Sequence, residues 1–406
     1  MRWLILVIPL VLAGLALLGG SILLLRLSFL SVLVALARYL WTVLNVRGLS
    51  VWVEEPPEHC QVGERFQQEV SVVNNSRLPK VWLKMEANPG LPGQQNATLI
   101  NLPPGQSRSW RATVECRRRG RYEVGLLRVT ATDPFGLFSR QRSLGEPYSL
   151  LIYPRTVDLP LFRLASFADF GAGPGRRPIS LISPNASTVR EFATGDSLHH
   201  IHWHSTAHTG RLMVKVFDAD HSYHAAKTVW VVVDMEGACQ AGEGEESTEE
   251  YGITIAASLV RKYLEGGMRV GMMASDGKTH LFPPDRGEEQ LWRILEALAL
   301  MRAGGQVPVS QLIFEQMEYL RDNAAVIIVT PSPAGELLDV TRQLRNRADS
   351  VVVVLLDAAS FGGEVEVSAA ARMLTLAGVQ AHVVRQGDEV SRVLDDRYAQ
   401  ARAQYV

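Results

Sequence analysis

The sequence predicts an α/β protein in three parts: two N-terminal transmembrane helices, an antiparallel β-sandwich, and a doubly wound domain built on parallel strands. Three observations predict it. An uncharged apolar run, Leu4 to Leu25, is followed at once by a second. Short runs with period-two alternation then continue to about Pro154. From Lys227 onward, near-continuous apolar strands alternate with amphipathic helices. The 406 residues leave room for two or three folded domains at about 100–200 residues each.

The membrane hairpin comes first, over residues 1–47. LILVIPLVLAGLALLGGSILLL and LSFLSVLVALARYLWTVL are separated only by Arg26. A cleaved leader would have a shorter apolar core and a polar start after it. Each run is long enough, at about 20 residues, to cross about 30 Å of hydrocarbon. Arg2 lies at one end and Arg38 and Arg47 at the other, with Arg26 near the tip. Positive residues favour the cytoplasmic side, so both ends should face the cytoplasm of a cell membrane. Tyr39 and Trp41 fall where an interfacial aromatic belt belongs.

Residues 48–155 form the expected sandwich. RFQQEVSVVNN and KVWLKMEA alternate polar and apolar positions, and Asn74-Asn75-Ser76, Pro89-Gly90 and Pro103-Pro104-Gly105 supply turns. Residues 156–225 read as a connector. Its GAGPGRRPIS stretch lacks the Lys-Ser/Thr pair and the strand-to-helix setting of a phosphate loop. Over 226–406, TVWVVVD, MRVGMMASDG, AVIIVTP, VVVVLLDA and QAHVVRQ alternate with helical segments, which indicates a parallel sheet covered on both faces.

Net charge is −1, so composition gives no electrostatic case for nucleic acid. Cys60, Cys116 and Cys239 are scattered, odd in number and without CxxC spacing, which argues against a disulfide framework and suits a reducing compartment.

The segment VREFATGDSLHHIHWHSTAHTGRLMVK is the candidate site. In an extended chain His200, His202 and His204 would share one face, an arrangement that suits zinc if Asp196, His208, His221 or His224 adds a third ligand. Ser205 beside a histidine raises a nucleophilic alternative, but no G-x-S-x-G elbow is present. A structural alternative uses more of the residues. Arg190 and Glu191 open the segment, Gly195 turns it, Asp196 caps, and Ile201 and Trp203 face away from the histidines, with Trp203 as apolar anchor.

Three motifs make the chain resemble the DUF58 family: RRRGRYEVGLLRVTATDPFGLFSR, Tyr153-Pro154, and the histidine-rich segment. In the last, Arg190, Glu191, Gly195, Asp196, Ile201, Trp203, Ala207, Gly210, Leu212 and Lys215 match the family pattern; in the first, Asp133-Pro134-Phe135-Gly136 stands out. His199, His200, His204 and His208 stand where the family usually carries arginine or lysine, so they resemble cationic donors more than a metal cluster. The resemblance implies membrane helices, a β-rich domain and a C-terminal domain similar to that of von Willebrand factor type A. It implies an interaction or assembly protein without catalysis, partnered with a MoxR-type AAA+ ATPase, and no small-molecule substrate. No Walker motif is present here, so any ATP hydrolysis belongs to the partner. The alternative is a metal-dependent hydrolase using the histidines. Domains of the von Willebrand type often hold Mg²⁺ through D-x-S-x-S. Here that stretch reads Asp234-Met235-Glu236-Gly237-Ala238, without either serine, and Thr330-Pro331-Ser332 stands where a further carboxylate would be wanted. No cofactor is expected.

Overall fold

The computed structural model describes residues 4–93, 97–164, 188–192, 201–216, 228–320 and 324–395. The chain divides into two compact units, 1–153 and 154–406.

The first unit opens with helices α1 (Leu4–Gly19) and α2 (Ile22–Val46), which pack against each other as a hairpin. The Ser28 hydroxyl donates to the Pro9 carbonyl at 2.9 Å, an interhelical bond between otherwise apolar surfaces. The two helices are not equal spans. The 25 residues of α2 are long and apolar enough to cross a bilayer. The 16 described residues of α1 rise only about 24 Å, short of the full hydrocarbon thickness. Two full spans were expected; the Gly19-Gly20 break ends α1 early, with Gly20 at φ 59°.

Ten strands follow: β1 (Leu49–Val53), β2 (Cys60–Gln61), β3 (Arg65–Asn74), β4 (Lys80–Ala87), β5 (Ala97–Leu102), β6 (Ser107–Glu115), β7 (Gly120–Val124), β8 (Leu127–Thr132), β9 (Ser139–Leu144) and β10 (Tyr148–Tyr153). They form sheets β1-β3-β6, β5-β4-β8-β9 and β2-β10-β7. Pairing is antiparallel except for β2 with β10. Alternation does what period two requires. Val70 and Val72 of β3 face Leu83 and Met85 of β4 and Val129 and Ala131 of β8 in one core, which Val46 from the end of α2 also enters.

Cys60 and Cys116 form a disulfide, closing a loop with a sequence separation of 56. This corrects the expectation of unpaired thiols. Spacing alone could not reveal the pair, because tertiary contacts create it. Gly63 donates to the Cys116 carbonyl at 2.8 Å and Cys116 to that of Glu64 at 3.0 Å, drawing the two segments together.

In the second unit, β11 (Thr188–Glu191) and β12 (Met213–Val216) form an antiparallel ribbon enclosing α3 (Trp203–Thr209). The remaining elements are β13 (Thr228–Val233), the short ribbon β14 (Gly242–Glu243) and β15 (Glu246–Ser247), α4 (Thr248–Glu265), β16 (Arg269–Ser275), β17 (Thr279–Asp285), α5 (Glu288–Leu300), α6 (Val309–Glu315), β18 (Ala324–Thr330), α7 (Ala334–Arg345), β19 (Ser350–Leu356), α8 (Ser368–Leu376), β20 (Gln380–Val384) and α9 (Val390–Val393). The six-stranded sheet runs β17-β16-β13-β18-β19-β20. In order of appearance that is third, second, first, fourth, fifth, sixth: the doubly wound order, whose switch point lies between β13 and β18. Only β17 is antiparallel. Its Pro283 and Pro284 fit an edge strand, where a missing N–H costs no ladder bond. The helix α4 begins at a Ser247 cap that accepts from Glu250 N–H, with Glu249 and Glu250 in the first turn. Gly271 is required by its neighbour: a Cβ there would come within 2.7 Å of the buried Trp230 ring on β13.

Replacing Cys60 and Cys116 together with alanine should lower the stability of the first unit by up to about 4 kcal/mol, the loop-closure entropy of a cross-link this long. Urea unfolding reads the loss, and a 60–116 cross-linked peptide should appear in a non-reducing digest. Full alkylation of both thiols in denatured, unreduced protein would contradict the pairing.

Candidate functional site

Ligands on doubly wound sheets bind beyond the carboxyl ends of strands at the switch point. Here that position belongs to Asp234, which follows β13 and is 3% exposed. Its Oδ2 accepts from the Thr330 hydroxyl at 2.5 Å and the Ser332 hydroxyl at 2.6 Å, both from the end of β18. Its Oδ1 accepts from Glu236 N–H at 3.1 Å. The Gln240 amide donates to the Asp234 carbonyl at 2.9 Å, and Thr248 at the start of α4 donates to Gln240 at 2.7 Å. Gly305 closes the other side: Gly237 donates to its carbonyl and its own N–H reaches that of Met235, each at 2.9 Å. The carboxylate therefore ties the loops after the two central strands to each other.

Asp234, Glu236 and Cys239 offer potential ligand atoms within 4.8 Å of one another. They do not fit Mg²⁺. That ion needs hard oxygen ligands with room for water, and both Asp234 oxygens already accept hydrogen bonds. The third donor is a thiol that burial, reinforced by the Asp234 charge, pushes up to about 12, so it keeps its proton. The cluster is a hydrogen-bonded lock.

The histidine-bearing segment is built differently from the extended reading. Ile201 bridges Val214 and is buried, and His202 N–H donates to the Met213 carbonyl at 2.8 Å. The chain then turns into α3, which Gly210 ends in a left-handed conformation at φ 70°. Helical spacing takes over at Trp203, and His200, the first member of the period-two set, lies outside the described residues. His204 stacks edge to face with His208, four residues along, at 6.0 Å and with His202 at 6.3 Å. Among the described residues these imidazoles form no three-ligand metal cluster. His202 instead caps α3: its Nδ1 accepts from Ser205 N–H at 3.2 Å and lies 2.7 Å from the Ser205 hydroxyl. That contact resembles a nucleophile–base pair, but it is the local geometry of a helix cap.

Trp203 is not a buried anchor. It is 68% exposed, next to exposed His204 and His208. Arg190 and Glu191 lie on β11 and Lys215 on β12, described by backbone alone; Gly195, Asp196, His199 and His200 lie outside the described residues.

The Asp133-Pro134-Phe135-Gly136 motif forms the turn between β8 and β9, and it holds α2. Asp133 Oδ1 accepts from Phe138 N–H at 2.7 Å, and Oδ2 from Phe135 N–H at 3.3 Å and Arg38 Nε at 2.9 Å; a second Arg38 nitrogen also meets Oδ2. Burial would raise the Asp133 pKa, but the bonds from Phe138, Arg38 and Phe135 outweigh it and hold the carboxyl below its ordinary value. The Arg38 guanidinium lies 4.4 Å from the centre of the Phe135 ring, and Tyr39 packs edge-on against Phe138. Farther along α2, the Asn45 amide pairs with both backbone groups of Val81 at 2.8 and 3.1 Å, as a strand would. Buried Lys80 donates to the Leu44 carbonyl at 2.5 Å, and its burial lowers its pKa. Sequence reasoning missed Arg38, Asn45 and Lys80 as one joint; the only signal was a charged residue inside an apolar run.

Asp234→Ala should cost about 3 kcal/mol, because it strands two buried hydroxyls without an acceptor. The combined Thr330→Val and Ser332→Ala change should also destabilise, and adding Asp234→Ala to it should cost less than Asp234→Ala alone. Thermal unfolding checks both, and strict additivity would contradict the lock.

Residues 188–373 match the family described as a protein of unknown function, DUF58. An uncharacterized Bacillus subtilis protein, YeaD, is 23% identical over 217 residues, 53% of this chain and 51% of that one. The chain thus spans about half the length of the curated relative it matches. Among solved structures, the SpRpn10 VWA domain covers 42% of this chain and 94% of its own at 12% identity, with a TM-score of 0.31. A CARDB domain from Pyrococcus furiosus covers 24% of this chain and 93% of its own at 14% identity, with a TM-score of 0.17. The segment that matches the DUF58 family model, 188–373, holds the histidine-bearing ribbon and all but the last strand of the six-stranded sheet.

Proposed function

We propose that this protein is a membrane-tethered interaction module that docks a partner without catalysing a reaction. The observation that carries the reading is the exposure of Trp203 within the family-matched segment. Tryptophan is costly to leave in water and is the side chain that most often dominates protein interfaces. On α3 it stands beside two exposed imidazoles, a mixed apolar and polar surface suited to a protein. The inward commitment of Asp234, Thr330 and Ser332 agrees, since the strand ends there are spent on holding loops together.

The partner in this reading is an AAA+ ATPase of the MoxR type, which would supply the energy this chain has no motif to release. A mixed α/β domain in the same chain as a β-sandwich, anchored through α2, would then present Trp203 at the cytoplasmic face of the membrane. Arg38 and Arg47 at one end of α2 support that orientation. The Cys60–Cys116 disulfide points the other way, since cytosolic thiols are normally kept reduced. One experiment addresses both. A membrane-impermeant crosslinker is applied to inverted and to right-side-out vesicles, followed by capture of the protein. The AAA+ ATPase should be recovered from inverted vesicles only, and Trp203→Ala should abolish recovery. Unchanged recovery with Trp203→Ala would refute the docking surface, and recovery from right-side-out vesicles would reverse the orientation.

A further inference from the structure

We propose that the turn bearing Phe135 is a second membrane contact, entering the interfacial zone of the same bilayer that α2 crosses. The inference rests on the reading of α2 as a membrane span. Phe135 is 75% exposed although it sits in a turn hydrogen-bonded to a buried aspartate. An exposed phenylalanine at such a place gains nothing from water.

Its position supplies the occupant. The ring lies against the Arg38 guanidinium, so it is level with Arg38 on α2. Toward the hairpin tip from Arg38, α2 exposes Leu36, Val34, Leu33, Val32, Leu30 and Phe29, an apolar surface for lipid tails. In the other direction come Tyr39 and Trp41, 47% and 43% exposed, and then the polar joint with Val81 and Lys80. Arg38 therefore stands where the exposed aliphatic surface of α2 gives way to aromatic and polar groups, the composition of an interfacial zone, and Phe135 joins Tyr39 and Trp41 in one aromatic band at that level. The guanidinium is bracketed by the ring and the Asp133 carboxylate, an arrangement that lets the charge sit at the boundary with its stem along apolar surface. Asp133 and its backbone bonds hold the turn rigid. The sandwich would thus rest on the bilayer by its own turn as well as hang from a helix.

The test uses the full chain with Cys239 replaced by alanine, reconstituted in phosphatidylcholine–phosphatidylglycerol nanodiscs, with one spin label at a time. Labels replace Phe135, Phe29 within α2, or Ser143 at the far end of β9. Power saturation with oxygen and a water-soluble nickel chelate gives depth. Phe29 should be deep, Ser143 aqueous, and position 135 within about 10 Å of the headgroup boundary. A label at 135 as accessible to nickel as that at 143, with 29 still in lipid, would overturn this inference alone. Nickel reaching 29 as freely as 143 would overturn the membrane-span reading, and this inference with it. Because Phe135 is mostly exposed, its replacement leaves the core of the sandwich intact. Circular dichroism matching the unlabelled chain verifies that.

Discussion

A single buried carboxylate joins the apolar N-terminal hairpin of this protein to its β-sandwich. Asp133 is sealed from solvent at the end of a β-sandwich, and such a group stays ionised only if the structure supplies donors. Two come from its own turn, and the remaining charge is met by Arg38, which is carried on an apolar helix. An arginine in that helix would be costly inside hydrocarbon. Pairing it with Asp133 fixes that turn of α2 at the protein surface, and the Asn45–Val81 and Lys80–Leu44 bonds extend the grip. The helix end is also part of the sandwich core through Val46. The joint is therefore packed and hydrogen-bonded along the last turns of α2 rather than a linker.

The second unit divides its polar chemistry between inside and outside. At the switch point of the sheet, Asp234 spends its carboxylate on Thr330, Ser332 and a backbone N–H, and a protonated Cys239 packs beside it. Such a network, fully satisfied and buried, specifies loop geometry. The ribbon of β11 and β12 does the reverse. It keeps Ile201 and Val214 inside and turns Trp203, His204 and His208 outward on α3. The strand ends at the switch point are closed by hydrogen bonds, while α3 carries an indole and two imidazoles at the surface.

Much of the architecture is readable from residue order, because it rests on local periodicity. TVWVVV is buried from Val229 onward and AAVIIVT along its whole length, and they form the adjacent central strands β13 and β18. The capped helix beginning STEEYG lies where its serine and acidic first turn put it. What periodicity misses is set by tertiary contact or by competing periods. β17 is not legible as a strand from residue order, since its prolines fit one only at an edge and edges are not visible in one dimension. H-x-H-W-H has the period of a strand, yet Trp203 to Thr209 is helical, since His202 caps it and Gly210 ends it. The disulfide and the Arg38–Asp133 pair join residues separated by 56 and 95 positions. The DPFG motif was legible as a motif, whereas its purpose depended on a helix almost a hundred residues earlier.

A double-mutant cycle on Arg38 and Asp133 tests the central claim most directly. Arg38→Ala, Asp133→Ala and the double variant would be compared in detergent, with unfolding of the first unit read from hydrogen exchange along the β4–β8 ladder. The account predicts a coupling of about 2 kcal/mol, since a hydrogen-bonded charge pair is lost in each single variant. It also predicts that the coupling fades as acid protonates Asp133: the carboxyl's folded-state pKa is depressed, so its contribution is complete above the ordinary carboxyl range and is lost as pH falls through the lower folded value. Coupling near zero at neutral pH would show that the helix and the sandwich are joined by something else.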